Sequence, residues 1–164
     1  MATWDTVLQT VVEEFSDLGG AREVTQLVLR LLLAALLGGL LGLQREHQGK
    51  AAGIRTHMLV AASSALIVVV SLQSGLGPDG LSRVLQGLLA GVGFVCAGAI
   101  LKLEREEQVH GLTTAAGVWM TAAIGIAAGL GREMTAALAT LVVLGILVLE
   151  APLRRMGVRR GGPG

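Results

Sequence analysis

Charge is scarce in this sequence. Asp, Glu, Lys and Arg make up 15% of its 164 residues, where a soluble domain carries about 25%. A water-soluble protein of this size needs charge spread over its whole surface, so the deficit excludes an ordinary soluble domain. The formal net charge of +1 gives no basic footprint for nucleic acid. The single cysteine, Cys96, sits in an apolar run. It excludes a disulfide framework and reads as a small apolar residue. The patterns G-x-x-x-x-G-K-[ST], G-x-S-x-G and H-E-x-x-H are absent, so no enzyme and no catalytic residue is expected. Met1–Glu14 has several acids and no positive n-region, so no removable leader is expected.

What is present is apolar. Hydrophobic residues make up 52% of the chain, the mean hydropathy is +0.69 and 24 residues are Gly. The charges cluster at the start, at Arg45–Arg55, at Lys102–Glu107 and at Arg154–Arg160. Long runs of Leu, Ala, Val and Gly separate the clusters. This pattern predicts an all-α integral membrane protein with five transmembrane helices, preceded by an N-terminal amphipathic interfacial helix. The spans fall at about Gln26–Leu43, His57–Leu72, Val84–Leu101, Leu112–Leu130 and Met134–Leu149, judged against the roughly 20 residues that cross a bilayer. Arg30 is expected to snorkel from the start of the first span. Before the spans, Trp4, Val7, Leu8, Val11, Val12, Phe15 and Leu18 share one helical face, and Asp5, Gln9, Glu13 and Asp17 the other. That segment is too polar to span and suits a membrane surface. The divisions are residues 1–20 for the interfacial helix, 26–153 for the transmembrane domain and 154–164 for a basic cytoplasmic tail.

Lys and Arg counts orient the bundle. With five spans, one side holds Arg45, Lys50, Arg55, Lys102, Arg105, Arg154, Arg155, Arg159 and Arg160; the other holds Arg22, Arg30, Arg83 and Arg132. The richer side is assigned to the cytoplasm, with the N-terminus outside and the C-terminus inside.

Two polar segments lie at the cytoplasmic ends of the spans. One runs from Gln44 through Arg45, Glu46 and Lys50 to Arg55, Thr56 and His57; the other from His110 through Thr113 and Thr114. Helix N-termini carry unpaired N–H groups and partial positive charge. With Arg45 and Arg55 added, they favour an anion: the Glu46 carboxylate, or a phosphate from a lipid or ligand. The plainer reading is that Glu46 pairs with Arg55 and ties two helix ends together. Neither His47, His57 and His110 nor the Glu104, Glu106 and Glu107 group has the makings of a metal site, so no metal or cofactor is expected. Glu150 is placed at headgroup level near Arg154. Small residues recur in rows that let helix backbones approach. Gly38 and Gly42, Gly91 with Gly93 and Gly98, and Gly117 with Gly125 are the helix-packing candidates, either within the chain or in a homo-oligomer.

These residues resemble the MgtC/SapB family. The likeness rests on three motifs in order. The first joins Arg30–Ala34, Gly42–Glu46 and Ala52–Val60. The second joins Gly91–Phe94 and Ala97–Leu101. The third is Val109–Ala116, with Trp119 and Ala122–Gly125 following. It covers about Val28 to Leu149. Gln44, Ala52 and His110 depart from the residues usual in the family, and the loop Lys102–Gln108 is longer and more acidic. The resemblance implies a multi-spanning protein of the bacterial inner membrane, linked to magnesium homeostasis and to low-magnesium or intracellular survival. It further implies a regulator that binds other membrane proteins, the ATP synthase among them, rather than a pump. An oligomeric channel or transporter for magnesium or another small solute is the second reading. The chain looks like the short form that lacks a soluble C-terminal domain.

Overall fold

The computed structural model describes residues 2–14, 19–101 and 111–155. Among these the chain forms six α-helices and no strand: α1 (Ala2–Glu14), α2 (Ala21–His47), α3 (Ile54–Gln73), α4 (Pro78–Leu101), α5 (Leu112–Gly129) and α6 (Glu133–Arg155). The expected residues 15–18 of the first helix, the loop around Glu104, Glu106, Glu107 and His110, and the tail beyond Arg155 lie outside the described residues, as does the side chain of Glu150.

Four helices, α2, α3, α4 and α5, are long and apolar enough to cross a membrane; the apolar part of α6, Glu133–Leu149, is shorter. The helices overrun the apolar windows at several ends. α2 includes Arg22 and Glu23 before its expected start and reaches His47, past Arg45 and Glu46. Backbone hydrogen bonding continues beyond the hydrocarbon, where charged side chains meet water. α4 begins at Pro78 instead of Val84, since a proline at the first helical position loses no intrahelical bond. α6 runs through Pro152 to Arg155, so part of the expected tail is helical.

α5 is the central helix, packed against α2, α3, α4 and α6. Its buried residues include Thr114, Gly117, Val118, Thr121, Ile124, Gly125, Ala128 and Gly129. These lie on more than one face, as a surrounded helix requires. α2 and α3 pair most intimately, α4 lies outside α3 and α5, and α6 lies against α2 and α5. The main core joins Ala34, Leu37 and Leu41 of α2 to Ala61 and Ala65 of α3, Ile124 and Ala128 of α5, and Ala136, Val143 and Leu147 of α6.

Small residues explain the tightness. A Cβ at Gly38 would come 2.5 Å from the His57 carbonyl oxygen and 2.8 Å from the Ala61 Cβ. One at Gly42 would come 2.6 Å from the Ile54 Cα, and ones at Gly125 and Gly129 would strike the Ala61 and Ala65 carbonyls. Glycine therefore lets α2 and α5 press directly on the α3 backbone, the source of van der Waals stabilisation where lipid removes the hydrophobic drive. Gly91, Gly93 and Gly98 on α4 behave differently: no described residue lies within 4 Å of a Cβ built on any of them. α1 packs against no other described helix.

Candidate functional site

The polar cluster forms where the C-terminal end of α2 meets the N-terminal ends of α3 and α5. α2 closes through Gly49, whose φ of 65° is the left-handed cap conformation. The Gln48 and Lys50 N–H groups donate to the Arg45 carbonyl at 3.2 and 3.1 Å, and the Gly49 N–H to the Glu46 carbonyl at 2.9 Å. Residues 51–53 then lead directly into α3, which brings α2 and α3 side by side.

Arg45 is fully buried, and its Nη1 donates to Gln48 Oε1 at 3.3 Å. Its position in the last turn places the guanidinium where the helix dipole favours a cation. Glu46, on the outer side of the same turn, turns its Oε2 to the α3 N-terminus and accepts the Ile54 N–H at 3.0 Å. The glutamate ties the two helix ends through a backbone donor, one of those left open at a helix start. Arg55 is exposed.

His57 is fully buried at the junction of α2, α3 and α5. Its Nδ1 lies 3.0 Å from the Gly53 carbonyl oxygen. A carbonyl only accepts, so Nδ1 carries the hydrogen, and in a neutral ring Nε2 is then the acceptor. Nε2 has no hydrogen-bond partner among the described residues. It faces α5, where a Cβ at Gly117 would stand 3.7 Å away. Arg45 lies within electrostatic reach of the ring. Thr114 is buried in the first turns of α5, Thr56 is half-buried and Thr113 is exposed.

The structure thus gathers Arg45, His57 and Thr114 inside one end of the bundle, puts Glu46 at its edge as a cap, and leaves Arg55 and Thr113 outside it. Gly38, Gly42 and Gly125 make close backbone approaches, Gly117 makes an ordinary contact, and Gly91, Gly93 and Gly98 face open space among the described residues. Among the described residues no group of three or more His, Cys, Asp or Glu could hold a metal ion.

Two polar links were not legible in the sequence. Cys96 Sγ donates to the Ala115 carbonyl at 3.2 Å, beside a small cluster of Ala52, Ala115 and Val118. It ties α4 to the first turn of α5. Arg30, expected to snorkel, donates from Nη1 to the Gly129 carbonyl at 3.2 Å. Its place a few residues inside the span was the only hint of that.

Known proteins share much of this sequence. Protein SrpB of Synechococcus elongatus is 47% identical over 116 residues, covering 64% of each chain. The putative magnesium transporter YhiD of Escherichia coli K12 is 40% identical over 135 residues, 76% of this chain and 60% of its own. Protein MgtC of Salmonella typhimurium is 39% identical over 129 residues, 77% of this chain and 54% of its own. The chain therefore spans between about half and two thirds of the length of these relatives. No solved structure matches it. The model of the MgtC family matches residues 31–156, most of the chain, from within α2 through the end of α6, and the protein belongs to that family.

Proposed function

We propose that this membrane protein acts in magnesium homeostasis as a regulator, by contacting another membrane protein, and that it is neither a carrier of Mg²⁺ nor an enzyme. The observation that carries this reading is the chemistry of the buried polar groups. The buried ionisable side chains in α2 and α3 are a guanidinium and an imidazole, Arg45 and His57. A cation path needs the opposite sign. The buried hydroxyls of Ser64, Ser71, Thr121 and Thr140 each donate to the carbonyl four residues earlier in their own helix. That is how isolated hydroxyls satisfy themselves in an apolar helix. Mg²⁺ demands a near-octahedral oxygen shell, usually with carboxylates.

The transporter reading has its own support. One relative carries the name of a putative magnesium transporter, and α4 presents an open, glycine-bearing face on which copies of the chain could assemble around a shared path. Flux into liposomes separates the two. Under the regulator reading, Mg²⁺ entry into vesicles holding the purified chain equals that into empty vesicles, while crosslinking in native membranes recovers one enriched partner, the ATP synthase being the first to probe. A saturable Mg²⁺ flux altered by substitutions at Arg45 or on α4 overturns it.

The placement we propose is the bacterial inner membrane, with α6 as a fifth span, α1 on the membrane surface, the N-terminus outside and the C-terminus in the cytoplasm. The cation asymmetry supports it. A membrane-impermeant label that reaches an engineered cysteine at residue 2 from the cytoplasm only would reverse the orientation.

A further inference from the structure

The least explained surface of the molecule belongs to α1. Trp4, Leu8 and Val12 are 75%, 63% and 69% exposed, Val7 and Val11 each 48%, and all five lie on one side of the helix. No other described helix packs against them. Glu13 and Gln9, which share a hydrogen bond, lie on the other side with Asp5. Six residues, 15–20, separate α1 from α2, and six residues reach about 20 Å at most. The apolar face is thus held by covalent connection beside the exposed apolar residues of α2, among them Val24, Val28, Leu29 and Leu32, which face lipid if α2 spans the bilayer. Lipid is the apolar phase always present at that distance, and tethering raises its effective concentration for α1.

The charge is the unusual part. Interfacial helices are ordinarily rich in Lys and Arg, which draw them to anionic lipid. Residues 1–21 contain Asp5, Glu13, Glu14 and Asp17, with neither Lys nor Arg. The field that attracts cations to an anionic leaflet repels these acids. We infer that α1 is an acidic surface helix that docks its Trp4–Val12 face on zwitterionic lipid and is loosened by anionic lipid, so that lipid headgroup charge sets how firmly it lies down. Salt then has the reverse of its usual effect: by screening the repulsion it strengthens docking on an anionic bilayer instead of weakening it. The inference rests on the proposed surface placement of α1 and adds the lipid class to it.

The test uses the full chain with Trp119→Phe, which leaves Trp4 as the single tryptophan, in vesicles of phosphatidylcholine or of equal phosphatidylcholine and phosphatidylglycerol. Acrylamide quenching and lipids brominated near the headgroup report where Trp4 sits. In phosphatidylcholine, acrylamide quenching is expected about threefold below that of a Leu8→Asp variant. With phosphatidylglycerol at low salt it is expected to rise about twofold, and to fall again at high salt. Neutralising Asp5→Asn, Glu13→Gln and Glu14→Gln together should remove most of the lipid dependence. Equal shielding in both vesicles, unmoved by salt, overturns the lipid-class inference and leaves the surface helix standing. Full acrylamide quenching in every vesicle overturns the surface placement itself. Shielding without quenching by the brominated lipids shows α1 docked on protein, a second copy included, and overturns both.

Discussion

Arg30 Nη1 donates to the carbonyl oxygen of Gly129 across 3.2 Å, joining the early part of α2 to the last turn of α5. The last carbonyls of a helix lack intrahelical donors and carry partial negative charge. A guanidinium there answers both needs. Gly131 follows with a φ of 72°, and a Cβ on it would run into Arg30. The turn between α5 and α6 is therefore shaped around this side chain.

Arg30→Ala is expected to lower stability by about 1–2 kcal/mol, and Arg30→Lys to recover part of that. Gly131→Ala should also destabilise, both by its left-handed backbone and by the collision. Thermal unfolding of detergent-purified protein, followed by helical circular dichroism, checks all three. An Arg30→Ala protein as stable as the parent would mean that the guanidinium only snorkels.

Glu46 caps α3 at the Ile54 N–H. Removing the carboxylate in Glu46→Ala should cost about 1 kcal/mol, the usual size of a lost N-terminal cap, and Glu46→Gln less, because its amide oxygen still accepts. Arg55→Ala should leave stability within about 0.5 kcal/mol, as for an exposed residue away from such features. Equal losses from Glu46→Ala and Arg55→Ala would instead point to an ion pair between them.

Glycines in similar rows should respond oppositely to a methyl group. Gly38→Ala forces atoms together at His57 and Ala61 and is expected to destabilise by about 1–3 kcal/mol. Gly91→Ala meets no other described residue within 4 Å and should be nearly neutral, within about 0.5 kcal/mol. If α4 carries a contact between copies, Gly91→Leu will shift the oligomeric state while the helices stay folded, a result that light scattering of the detergent-solubilised protein can read.

Cys96 is buried and its thiol donates to Ala115. Maleimide should label it slowly in the native protein and fast after denaturation. Cys96→Ala should cost about 1 kcal/mol or less, with slightly looser docking of α4. Rapid native labelling would mean that α4 opens away from α5.

Mg²⁺ itself gives a binding test independent of flux. A resident site at a hundredfold excess of Mg²⁺ over its Kd would stabilise the fold by about 2.7 kcal/mol. Under the regulator reading, adding Mg²⁺ and then a chelator leaves the unfolding temperature unchanged. A shift that vanishes on chelation, and is lost with a particular substitution, would locate a site.

Much of the fold was legible along the chain. The apolar runs marked the long helices because a span must be apolar for about 20 residues and satisfy its own backbone. Trp4, Val7, Leu8, Val11 and Val12 at helical spacing marked α1, and the charge clusters marked where helices end. Arg45, His57 and Thr114 could be placed at one end of the bundle because alternating spans bring the end of α2 and the starts of α3 and α5 to the same side. None of this requires knowing which helix touches which.

Partnership between helices was decided by tertiary structure alone. Gly38 and Gly91 sit in similar small-residue rows, yet one bears on the His57 carbonyl and the other on no described residue. Arg30 and Arg55 both lie near the starts of spans, yet one reaches Gly129 and the other is exposed. Glu46 found a backbone N–H instead of the nearby arginine. The physical reason is shared. In a bilayer, lipid is as apolar as a neighbouring helix, so hydropathy does not distinguish a buried face from a lipid-facing one. Sequence determined that these helices exist and near which charge clusters they begin and end; only the packed bundle decided which faces close on one another and which polar groups they enclose.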